Sequence, residues 1–209
     1  MPPSGSDTNV IHSEGRTLLI FNPFHAKFIH MLTTPTDPFW LLVDNAVKVA
    51  NGNDLVKEIF LSAVLEKHSL EEIKDFEIAF RQCVFDADDY RVMAAQKIIT
   101  NYVSDDSYLY FRCWLIGQGQ EVYAETLKDP DYLANIVQKG DMCNWEGLMY
   151  VATDAYSSKT GKEEDETFPR GFACKMGLDY DLGPPRTKGT DWTLEELPAL
   201  LPKLWMKFN

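Results

Sequence analysis

Residues 104–120 gather the side chains best suited to chemistry. Two carboxylates, Asp105 and Asp106, precede a nearly unbroken apolar run over 108–116 that is interrupted by Arg112. A guanidinium among such neighbours needs a partner, because an unpaired buried charge is strongly unfavourable. Asp86, Asp88, Asp89 or the Asp105/Asp106 pair each offer a carboxylate for a bidentate contact, and an anionic ligand would satisfy the same group. Gln118 stands between Gly117 and Gly119 and supplies both a donor and an acceptor. A pocket built from Asp105, Asp106, Arg112 and Gln118 and walled by Tyr108 and Trp114 would therefore bind a small molecule or place an acid beside a substrate. The same residues also have a structural reading. Asp105 and Asp106 suit the first turn of a helix, where free N–H groups and the helix dipole favour negative charge. Arg112 then becomes a core ion pair, and the two glycines mark close helix packing.

Other chemical signatures fail on spacing. A calcium loop beginning at Asp86 would need glycine where Arg91 stands and glutamate where Lys97 stands. His12, His25, His30 and His68 are not at zinc-ligand spacing, so no metal and no cofactor is expected. The sequence holds no G-x-S-x-G elbow, phosphate loop or dinucleotide fingerprint, while a cysteine nucleophile with a distant histidine stays open. Cys83, Cys113, Cys143 and Cys174 are dispersed without a C-x-x-C pair and read as free thiols of a cytoplasmic protein.

Charge narrows the partners. Lys and Arg number 20 against 32 Asp and Glu, a formal net charge of −12 that opposes phosphate backbones and anionic membranes. No nucleic acid and no membrane is therefore expected. A protein partner, basic in character, would meet a complementary surface, although an acidic surface also serves solubility.

The elements that must position these groups are mostly helices. Residues 1–16 read as a mobile leader. Residues 17–36 form an N-terminal extension in which 17–21 are β-compatible, 22–25 turn, and 27–32 make either a second strand, closing a short β-hairpin, or a helical turn. From Asp37 to the C-terminus the expectation is a helical domain. Asp37 caps and Pro38 opens a first helix whose face carries Phe39, Val43, Ala46, Val47 and Ala50. A second helix starts at Asp54, and Ser69 with Glu72 forms a capping box for a third with Leu70, Ile73, Phe76, Phe80 and Val84 in one stripe; both are expected to pack inward. Further helices are expected over 90–102, 108–128 and 130–139. Another runs from Trp145, capped by Asn144 and closed by Gly161. Residues 162–190 read as an irregular segment. Pro198 and Pro202 divide the C-terminal region into short turns after a Thr193/Glu196 capping box. The fold class is thus mainly α: a single-domain, bundle-like helical array with a small N-terminal extension.

Several separated pieces of the chain resemble the bacterial DUF4240 family, a family of unknown function. They are Phe39-Trp40-Leu41-Leu42-Val43-Asp44, then Ser104-Asp105-Asp106 with Phe111-Arg112-Cys113-Trp114-Leu115-Ile116, and the Leu201-Pro202-Lys203-Leu204-Trp205 ending. Glu121-Val122-Tyr123 and Tyr150-Val151-Ala152 through Thr160-Gly161 add to the likeness, which covers about residue 38 to the end. Gln120 departs from it, standing where a basic residue is expected. The resemblance implies a helical fold and no reaction. The functional expectation is a soluble, acidic protein-interaction module without catalysis, and its rival is a small-molecule-binding protein or enzyme using the pocket above.

Overall fold

The computed structural model describes residues 37–180 and 186–209, and these are mainly helical. The expectations for the leader and the N-terminal extension lie outside the described residues.

Helix α1, Pro38–Ala50, begins where the sequence places it: the Asp37 carboxylate accepts the Phe39 N–H at 2.9 Å, and Pro38 lacks the donor that a first turn leaves unused. It buries Phe39, Trp40, Val43, Ala46 and Ala50 and ends in left-handed backbone at Asn51 and Gly52. Helix α2, Asp54–Leu65, is capped by Asn53. The Ser69/Glu72 capping box opens α3, Leu70–Asp86, with both reciprocal bonds in place. The expected stripe on α3 is buried at Ile73, Phe76, Phe80 and Val84, while Leu70 at its start is only half-buried. Asp89 caps α4, Tyr90–Thr100, and Ser104 caps α5, Asp105–Ile116.

Helix α5 is the centre of the assembly. Leu109, Phe111, Leu115 and Ile116 are buried together with Tyr108, Cys113 and Trp114, so the helix is apolar around most of its circumference. It packs against α3, α4 and the following helix.

The helix expected over 108–128 is in fact two. Helix α5 stops at Ile116, and α6, Gln120–Lys128, restarts after Gly119 at φ +95°. Two contacts from elsewhere force the break. The Trp145 ring lies against Gly117, where a Cβ would overlap it, and the Asp44 carboxylate accepts the Gln120 N–H at 2.9 Å to cap the new helix. Close approach is thus the reason for these glycines: the Trp145 ring comes up against Gly117, and the Asp44 carboxylate of α1 comes up against Gly119.

Three further boundaries shift. The helix expected over 130–139 is a short 3-10 turn, Pro130–Asn135, because the buried Asp131 carboxylate is turned toward the Lys203 and Leu204 N–H groups of the C-terminal helix. The Trp145 helix starts later than expected. Asn144 is exposed, Trp145 has non-helical backbone with its N–H given to the Tyr110 carbonyl, and a 3-10 turn, Glu146–Met149, leads into α7, Val151–Thr160. Gly161 closes α7 at φ +66°, as expected. Within residues 162–190 the chain forms α8, Pro169–Lys175, and a backbone bridge between Asp89 and Lys188. Pro198 and Pro202 do divide the end of the chain, into α9, Leu197–Leu200, and α10, Pro202–Phe208.

Candidate functional site

The six side chains singled out in the central segment occupy three separate places. Asp105 and Asp106 are exposed in the first turn of α5, while the cap itself is Ser104, whose hydroxyl accepts the Ser107 N–H. Their charges meet the positive end of the helix dipole. Tyr108 and Arg112 point the other way, into the corner between α3 and α4. There the guanidinium donates to the Val84 carbonyl at 3.1 Å, stacks on the Tyr108 ring at 4.4 Å and lies 3.9 Å from the Asp88 carboxylate. The Tyr108 hydroxyl accepts the Asp89 N–H at 3.0 Å and reaches the Asp89 and Ala87 carbonyls at 2.9 and 3.1 Å. Of the candidate carboxylates for Arg112, Asp88 is the one in reach. The pair clasps the loop 86–89 onto α5. Trp114 packs on Phe111, and its carbonyl accepts the Gln118 amide at 3.1 Å on the last turn.

Burial sets the protonation of this region. It pushes the Tyr108 phenol well above its ordinary range, against the pull of Arg112. The Cys113 thiol is raised to about 12 by burial, and the Cys143 thiol also to about 12 by burial and by Asp141 and Asp54. Cys83 rises well above the ordinary range and Cys174 rises as well, both chiefly by burial. Such thiols stay protonated at neutral pH and are poor nucleophiles.

A second charged pair escaped the sequence reading. Glu77 and Arg81, one turn apart on α3, are fully buried and joined by a 2.6 Å hydrogen bond from Nε–H to Oε1. Arg81 also donates to the Leu178 carbonyl at 2.9 Å and to the Tyr180 hydroxyl at 3.2 Å, with its guanidinium over that ring at 4.3 Å. It ties the chain after α8 to the core. The Glu77 carboxyl is held up by burial, and its second oxygen has no hydrogen-bond partner among the described residues. Glu-x-x-x-Arg ordinarily marks a solvated helix face; here α8, in a stretch that reads as irregular, covers it.

The other feature missed in the sequence is on α2. That helix is fastened by one face. Lys57 is buried and donates to the Asp54 carboxylate and the Gly117 carbonyl, both at 2.8 Å, with Nζ 5.3 Å from the centre of the Trp145 ring. The Glu58 carboxylate accepts the Trp145 indole N–H at 3.4 Å and lies against Gly147. Leu61 and Leu65 complete the buried side. The opposite face leaves Leu55 63%, Ile59 61% and Val56 36% exposed. Met142, in the segment leading to Trp145, is 77% exposed. The expectation that α2 packs wholly inward is therefore corrected: it presents large aliphatic side chains on successive turns to solvent.

Among the described residues no group of three His, Cys, Asp or Glu side chains is arranged to hold a metal ion, and no described helix is long and apolar enough to cross a membrane. In comparison with known proteins, residues 35–158, more than half of the chain, match the family described as "Protein of unknown function (DUF4240)". No curated protein and no solved structure matches the chain.

Proposed function

Since the chain belongs to the DUF4240 family, whose description names no reaction, we propose from its geometry, charge and cysteines that it is a non-catalytic protein-interaction module engaging a basic protein partner in the cytoplasm. The exposed aliphatic face of α2, Leu55, Val56 and Ile59, carries this reading. Isolated apolar side chains on a surface are ordinary, whereas several on successive turns of one helix form the kind of patch that marks an interaction site. The net charge of −12 supports a basic partner by steering encounter. The dispersed free thiols support a reducing compartment.

The rival pocket has less support. Its acids lie exposed at the start of α5, its arginine is directed into the α3–α4 corner, and its glutamine bonds the helix end. These groups have no shared centre at which a ligand would touch them together.

The test uses immobilised protein and a quantified set of retained proteins eluted by salt. A Leu55→Gln/Ile59→Gln variant with an unchanged circular dichroism spectrum and melting temperature is expected to lose the saturable fraction. Equal retention by wild type and variant would remove α2 as the docking face.

A further inference from the structure

We propose that residues 176–180, the turn after α8, are a pH-responsive latch: Arg81 holds them closed over α3, and the negative charge that closure buries on Glu77 drives them open. The latch is weakly seated by its own side chains. Phe168 and Ala173 are buried at and within α8, whereas Met176 and Gly177 are exposed and Leu178, Asp179 and Tyr180 are half-buried. A segment with so little buried apolar surface opens far more readily than the whole chain unfolds. Gly177 turns the backbone at φ +84°, and the Leu178 N–H is given to the Ala173 carbonyl at 3.1 Å. Arg81 reaches this turn from α3. Its Nη1 donates to the Leu178 carbonyl at 2.9 Å and lies 3.7 Å from the Cys174 sulfur, and its Nη2 donates to the Tyr180 hydroxyl at 3.2 Å.

The same guanidinium is bonded on its other side to Glu77, which is 1% exposed. One carboxyl oxygen takes the Arg81 Nε–H at 2.6 Å, and the other is buried with no hydrogen-bond partner among the described residues. A carboxylate so placed lacks donors that water would supply, a cost that either protonation or opening of the latch relieves. The groups that act on it are divided. Arg81 beside it and Arg170 on α8 favour its charge, Glu164 before α8 opposes it, and the Cys113 thiol of α5 and the Tyr180 phenol face it as neutral groups. Burial outweighs both arginines and holds the Glu77 carboxyl above its ordinary range. Closure and protonation therefore favour each other. The latch is at full strength below the ordinary glutamate value of about 4.3 and loses strength as pH climbs from there through the raised value, by up to about tenfold in the open-to-closed ratio per pH unit.

The test follows Glu77 and the latch together in the full chain. Carbon-13 titration of side-chain carboxyls is expected to place the Glu77 midpoint above about 4.3. Leu178 amide exchange, corrected for its intrinsic pH dependence, is expected to rise over the same window by up to about tenfold per pH unit. Glu77→Gln keeps the shape without the charge and is expected to hold that exchange flat at its slow, acid level, although Glu164 and Asp179 still titrate. Tyr180→Phe removes one latch bond and no charge. It is expected to speed Leu178 exchange in acid and to draw the Glu77 midpoint down toward the ordinary value, because a weaker latch lets the carboxylate reach water at lower pH. A Glu77 midpoint at or below about 4.3 would overturn the inference. So would a wild-type exchange profile that stays flat, or one that Glu77→Gln leaves unchanged. Should Glu77→Gln fail to fold, a Glu77 midpoint indifferent to Tyr180→Phe overturns it alone.

Discussion

Replacing Arg112 by methionine is expected to destabilise the fold by about 2–3 kcal/mol. The variant loses a charge-assisted hydrogen bond to the Val84 carbonyl, of order 1.5–3 kcal/mol when the acceptor stays buried. It also loses the stacking of the guanidinium on Tyr108, of order 0.5–2 kcal/mol. The Asp88 contact adds little, since 3.9 Å is long for an ion pair and the carboxylate keeps some access to water. Methionine fills much of the vacated space and removes the cost of desolvating a cation, which brings the total below the sum. For a chain of this size the loss corresponds to about 5–10 °C in melting temperature. The assay is a urea titration by circular dichroism of Arg112→Met, Asp88→Asn and the double variant. The coupling between the two sites is expected to be about 0.5 kcal/mol. A cost below about 0.5 kcal/mol for Arg112→Met, the range of ordinary surface substitutions, would refute the clasp.

Other perturbations follow from the same contacts. Because the folded pKa values of Cys113 and Cys143 are raised from 9.0 to about 12, the stability these thiols confer is intact below about pH 9 and is lost as pH climbs toward 12. The slope is about 1.4 kcal/mol per pH unit for each thiol, so the urea midpoint should fall steeply between pH 9 and 10.5, and a flat profile would contradict the burial. Gly117→Ala should displace the Trp145 ring and cost about 1–3 kcal/mol with an altered near-ultraviolet dichroism, and an unchanged spectrum would show that the ring has room. Asp131→Ala removes the carboxylate that accepts the Lys203 and Leu204 N–H groups; it should cost about 1–2 kcal/mol and speed amide exchange selectively in α10. Uniform exchange across the chain would place the Asp131 contribution elsewhere.

How far the sequence can be read here depends on whether the deciding contact is local. The starts of α1 and α3 are legible because Asp37, Pro38, Ser69 and Glu72 act within one turn. The end of α7 at Gly161 is equally local. The break between α5 and α6 and the late start of α7 share a non-local cause, the seating of Trp145 against Gly117 and under the Tyr110 carbonyl, and the break has a second one in the Asp44 carboxylate that caps α6. Helical periodicity carries no trace of it. The role of Arg112 was legible as a need for a partner, though the choice of Asp88 depended on how α3 and α4 meet. Helix α2 is apolar almost all round in Leu55-Val56-Lys57-Glu58-Ile59-Phe60-Leu61, so its pattern does not say which side faces water. The inward turn of Lys57, which decides it, comes from Gly117 and Trp145 far along the chain. Glu77 and Arg81 were hidden for a related reason: their cover, α8 and Tyr180, sits in a stretch rich in charge, glycine and proline.

The most direct measurement of the central claim, that α2 docks a basic protein, is a nitrogen-15 amide titration of the whole protein with a synthetic amphipathic helical peptide of leucine and lysine. The account predicts perturbations confined to Leu55, Val56, Ile59 and the segment around Met142, with Asp105, Asp106 and Gln118 unmoved. Perturbations centred on the first turn of α5 and on Gln118, with α2 silent, would contradict it.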